Sequence, residues 1–79
     1  MKMAEYMFKE LGYNLIRKDY DYIIYEKQLD NDCVKTVTFC DQLQNVNVSY
    51  GEFVNQTPSI EMKLFRAIEK QLKDLVWIP

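Results

Sequence analysis

The apolar positions of the first eleven residues recur at helical spacing. Met3, Ala4, Met7, Phe8 and Leu11 stand three or four apart and share one face. Glu5 and Lys9 form an i, i+4 pair on the other side. Gly12 sits where a left-handed cap closes a helix, and Tyr13 follows as an apolar residue able to fold back on the last turn. The spacing predicts a helix over residues 3–11.

The period then drops to two, interrupted by turn residues. Residues 13–18 predict a short strand and residues 19–21 a tight turn. Residues 22–28 open with Tyr-Ile-Ile-Tyr and predict a strand that is apolar on both sides. Tyr20, Tyr22 and Ile24 fall on one face, Ile23 and Tyr25 on the other. Asp30, Asn31 and Asp32 mark another turn, because their side chains bond nearby backbone. Residues 33–40 alternate, with Val37 and Phe39 opposed to Thr36 and Thr38. After a turn at Asp41 and Gln42, residues 44–50 set Val46, Val48 and Tyr50 against Asn45, Asn47 and Ser49. Gly51 stands where a bulge is expected. Turns this short favour an antiparallel meander.

Helical spacing returns after Thr57 and Pro58, which read as an N-cap followed by proline in the first helical position. Ile60, Leu64, Ile68, Leu72, Leu75 and Val76 form an apolar stripe joined by Phe65, with charged residues on the remaining faces. The whole pattern predicts one α+β domain over residues 1–79, in the order α-β-β-β-β-α. Its four-stranded antiparallel meander carries the N- and C-terminal helices on one face.

Composition sharpens this picture. A chain of 79 residues buries only about 60% of its unfolded surface, so its core is thin. Six tyrosines in so short a chain enlarge that core. Ten Lys and Arg against twelve Asp and Glu leave a net charge of −2, which disfavours nucleic acid as a partner. The alternative is a nucleic-acid-associated protein using a basic ridge on the last helix, Lys63, Arg66, Lys70 and Lys73. Glu61, Glu69 and Asp74 dilute that ridge. No apolar run is long enough to span a membrane, and Glu5 interrupts the stretch a signal peptide needs. A cytoplasmic location with reduced thiols is expected.

The candidate chemistry is sparse. Histidine is absent, which removes the usual triads, imidazole proton shuttles and most zinc sites. Cys33 and Cys40 lie seven apart in one predicted strand and point to opposite faces, so they cannot bridge. The carboxylate pairs Asp19/Asp21 and Asp30/Asp32 fit turn chemistry better than a calcium loop, which needs a longer ligand series. Two glycines cannot build a phosphate-cradling loop. No catalytic residue, metal, cofactor or small-molecule substrate is expected, and the chain is not expected to be an enzyme.

Surface is what remains. If both helices cover one side of the sheet, either register leaves an isoleucine and at least one tyrosine off the core. Residues 42–57 are rich in Asn and Gln and carry Glu52 as their only charge. Amides bond a partner without the cost of desolvating an ion. An uncharged strand at a sheet edge can also accept another chain's strand. Tyr20, Tyr22, Ile24, Asn45 and Asn47 are the expected contact residues, with a protein partner or a second copy as the occupant.

Three stretches carry a resemblance. They are Phe8-Lys9-Glu10-Leu11-Gly12-Tyr13, the run Tyr-Ile-Ile-Tyr-Glu-Lys from Tyr22 to Lys27, and the last helix from Pro58-Ser59-Ile60 to Leu75-Val76-Trp77. Together they are similar to small proteins encoded by phages and prophages of Gram-positive bacteria. The resemblance implies an α-β-β-β-β-α unit without enzyme activity. It also implies a protein that binds a host factor in the bacterial cytoplasm, as an inhibitor or adaptor.

Overall fold

The elements follow the predicted order: α1 (Ala4–Glu10), β1 (Asn14–Lys18), β2 (Tyr22–Asp30), β3 (Cys33–Cys40), β4 (Asn45–Tyr50) and α2 (Met62–Asp74). The structure, a computed structural model, describes residues 3–30, 33–51 and 59–79. The four strands form one antiparallel sheet in the order β1-β2-β3-β4. Among the described residues, no helix is long and apolar enough to cross a membrane.

Helix α1, at seven residues, is too short to stand alone and is held by its two ends and by docking. At its N-terminus the Ala4 N–H donates to Asp74 Oδ2 of α2 at 3.4 Å, which also sets a negative charge at the positive end of the helix. At its C-terminus Gly12 adopts φ 93°, a conformation that suits glycine, and its N–H donates to the Lys9 carbonyl. The Tyr13 N–H reaches back to the Phe8 carbonyl at 2.9 Å, completing a Schellman cap. The two rings then meet edge to face at 5.7 Å. The Gly12–Tyr13 reading of the sequence thus corresponds to a defined pair of hydrogen bonds.

The turns use the expected side chains. Asp19 Oδ1 accepts the N–H groups of Asp21 and Tyr22, each at 2.9 Å. The β3–β4 turn closes with the Gln44 N–H on the Asp41 carbonyl, and Gln44 takes φ 48°. The turn read at Asp30–Asp32 falls largely on Asn31 and Asp32, outside the described residues. The bulge expected at Gly51 is not there: its N–H continues the ladder to the Val34 carbonyl, and β3–β4 keeps one register throughout. Register shifts occur instead between Leu15 and Arg17 and between Gln28 and Asp30.

Helix α2 departs from its sequence reading at both ends. Thr57 and Pro58 lie outside the described residues, but Ser59 to Glu61 are exposed and not helical, and the helix begins at Met62. The Ser59 carbonyl is taken by Lys35 Nζ at 2.6 Å, which ties this approach segment to the sheet. The apolar stripe is consequently shorter than predicted. Ile60 precedes the helix and is exposed, Phe65 lies one residue round from Leu64 and is exposed, and Val76 falls beyond the last turn at 83% exposure. Leu64, Ala67, Ile68 and Gln71 form the buried face, with Leu72 and Leu75 at its margin.

Both helices lie on one side of the sheet. Phe8 of α1 and Leu64, Ala67 and Ile68 of α2 pack on Ile23 and Tyr25 of β2 and on Val37 and Phe39 of β3. The Phe8 ring stacks on Tyr25 at 3.9 Å and meets Phe39 edge to face at 6.1 Å. Such pairs add about 0.5–1.5 kcal/mol each beyond the area they bury. In so small a core, this ring cluster is the main fixed point.

Candidate interface on the open sheet face

Strand alternation sends the neighbours of these core residues to the opposite face. Tyr22 and Ile24 of β2 project away from the helices because Ile23 and Tyr25 project towards them. The register then aligns them in rows. Tyr22 lies beside Cys40, which lies beside Asn45, and Ile24 lies beside Thr38, which lies beside Asn47. A third row runs through Glu26, Thr36 and Ser49. Four of the five expected contact residues therefore share one surface. Tyr20 is not in a strand: it sits in the β1–β2 turn at the rim of this face, 96% exposed. Among the described residues, no element covers the face.

The rows through Tyr22 and Ile24 carry no charge on β2, β3 or β4. The nearest is Arg17, opposite Ile24 on β1, whose guanidinium lies 4.7 Å from the centre of the Tyr22 ring. Arg17 Nε also donates to Asp19 Oδ2 at 2.6 Å. That contact, with the backbone N–H groups of Tyr22 and Asp21, holds the Asp19 carboxyl below the usual carboxylate range. The Asp19 contact thus holds the guanidinium over the Tyr22 ring. Arg17, Thr36, Thr38 and Cys40 complete the face and were missing from the sequence-based set. The alternation of residues 33–40 grouped the two threonines, but only the position of the helices says which group is open.

The remaining concavities have a different character. A cleft of about 430 Å³ is lined by residues that include Glu5, Lys18, Tyr25, Gln71 and Asp74. Tyr25, Gln71 and Asp74 in this lining each have a polar partner. The Tyr25 hydroxyl donates to Gln71 Oε1 at 2.6 Å, and Asp74 pairs with Lys70 at 2.8 Å. Burial pushes the Tyr25 phenol well up, while the Lys70 ammonium holds the Asp74 carboxyl low. Neither group changes charge near neutral pH, so neither is tuned for proton transfer. Between the antiparallel helices runs a groove of about 320 Å³ lined by Met7, Glu10, Leu11, Lys63 and Arg66. Among the described residues, no three metal-ligating side chains converge, and both cysteines are free thiols.

The basic ridge is broken up along α2. Lys70 pairs with Asp74, and Lys73 lies 4.0 Å from Glu69. Lys63 and Arg66 line the interhelical groove. Compared with known proteins, this chain matches no family model, no curated protein and no solved structure.

Proposed function

We propose that this chain is a small non-enzymatic protein-binding module that engages its partner through the open sheet face, acting as an inhibitor or adaptor of a host protein. The observation that carries this reading is the uncharged patch of Tyr22, Ile24, Thr38, Asn45 and Asn47, set out in register on the side of the sheet away from both helices. A tyrosine offers apolar area and a hydroxyl together, which suits a surface that is wet when free and dry when bound. Neighbouring amides and threonines satisfy a partner's backbone without desolvating an ion. The resemblance to phage and prophage proteins supplies the kind of partner, a protein of the bacterial cytoplasm.

Affinity capture from bacterial lysate tests this directly, with the unaltered chain compared against Tyr22→Ser/Ile24→Ser. The expected result is a defined partner retained by the unaltered chain and lost, by at least about tenfold, from the variant. Far-UV circular dichroism of the variant should be unchanged, because both side chains lie off the core. A partner retained equally by both proteins would refute the assignment of the face.

A further inference from the structure

The two edges of the sheet are built differently. β1 carries Arg17 and Lys18 and a register break between Leu15 and Arg17, features that protect an edge from pairing. β4 has none of these: Asn-Val-Asn-Val-Ser-Tyr contains no charge and no proline, and its ladder with β3 is unbroken. The hydrogen-bond phase of that ladder can be read from its end. The Gly51 N–H donates to the Val34 carbonyl, so odd-numbered residues of β4 bond to β3. Val46, Val48 and Tyr50 therefore direct their N–H and C=O groups to the outer edge, where no strand pairs among the described residues. Their side chains lie on the helix side, where Val46 and Val48 are half-buried although Val37 and Phe39 beside them are fully buried.

We propose that this edge pairs antiparallel with β4 of a second copy about a two-fold axis through Val48, joining the two sheets into one. A surface and partner different from those of the open face are involved, so the proposal stands independently of that reading. In this register Val48 faces its own counterpart and Val46 faces the second copy's Tyr50. All three outward-facing residues find partners. Centring the axis on Asn47 would instead leave Tyr50 beyond the pairing. Two-fold pairing brings a strand against itself, so a charge near the axis meets its like, and β4 has no charge to repel its copy. The helix-side valines of the two strands come together and extend each core past its thin margin. On the other face Asn47 stands opposite the second copy's Ser49.

Hydrogen exchange measured by NMR over a concentration series, alongside sedimentation equilibrium, tests the pairing on the unaltered chain. The mass should rise from 9.5 kDa towards twice that value. The amides of Val46, Val48 and Tyr50 should gain protection in step with it, while those of Asn47 and Ser49 stay protected at every concentration. Asn47→Lys/Ser49→Lys changes only exposed side chains and sets lysines against lysines across the axis. It should stay monomeric with those three amides exchanging freely, whereas Tyr22→Ser/Ile24→Ser should dimerise as before. A chain that remains monomeric at millimolar concentration would overturn the proposal. So would a dimer in which the Val46, Val48 and Tyr50 amides exchange freely, or one that the double lysine variant leaves intact.

Discussion

Tyr25 and Ile24 are adjacent in sequence and similar in size, yet one is 2% exposed and the other sits on the open face. The alternation shows that β2 is apolar on both sides but gives no means of choosing between them. The choice is made at long range: Phe8 stacks on Tyr25, and the Tyr25 hydroxyl finds Gln71 forty-six residues away. Gln71 stands three residues after Ile68 and four before Leu75, a polar side chain on the apolar face of α2, and its burial is matched by the phenol it satisfies. Lys35 is a parallel case, buried on the helix side because its ammonium reaches the Ser59 carbonyl. The buried phenols have a consequence for pH. Burial, aided by the Glu61 carboxylate, raises the Tyr13 phenol to about 12, and burial raises Tyr25 further. A folded-state value above the unfolded value of about 10 contributes stability that is complete below pH 10. That contribution is lost as pH rises through 12. The urea midpoint should therefore hold level from pH 7 to 9 and fall steeply between about pH 10 and 12. A midpoint unchanged at pH 12 would show that these phenols ionise freely.

At the scale of elements, the strands were the most legible part of the chain, because short turns and clean alternation fix both their bounds and their pairing. The helix α1 was legible at its end, where Gly12 announces the cap. The ends of α2 were not. At its start Glu61 makes no side-chain cap hydrogen bond, and the segment leading in is tied to the sheet by Lys35 on the Ser59 carbonyl. Its end is a second Schellman cap, with the Val76 N–H on the Lys73 carbonyl and the Trp77 N–H on the Leu72 carbonyl. Here the left-handed position, at φ 61°, is held by a β-branched valine instead of glycine. Such a residue costs about 1–2 kcal/mol in that conformation. The half-buried Trp77, packed against the core, holds the chain there. Val76 is 83% exposed and contributes little packing, so Val76→Gly should relieve the strain and stabilise the fold by about 1 kcal/mol. For a domain this small, that is a rise in Tm of about 4–8 °C. A lower Tm by differential scanning calorimetry would mean that the valine side chain is itself needed.

At the scale of the molecule, a one-sided architecture explains how so few residues yield both a core and an open sheet face. The helices and the ring cluster use one face of the sheet, which leaves Tyr22, Ile24, Thr38, Asn45 and Asn47 together on the other. Which tyrosines serve the core and which the surface required the sheet to be seen against its helices. The most direct measurement is solvent paramagnetic relaxation of methyl groups, using a soluble gadolinium chelate at low protein concentration. Ile24 and Thr38 should be strongly broadened, while Ile23 and Val37, one residue away on the same strands, remain sharp. Equal protection of Ile24 and Ile23 would mean that the sheet is covered on both faces, and the open surface on which the proposed binding depends would not exist.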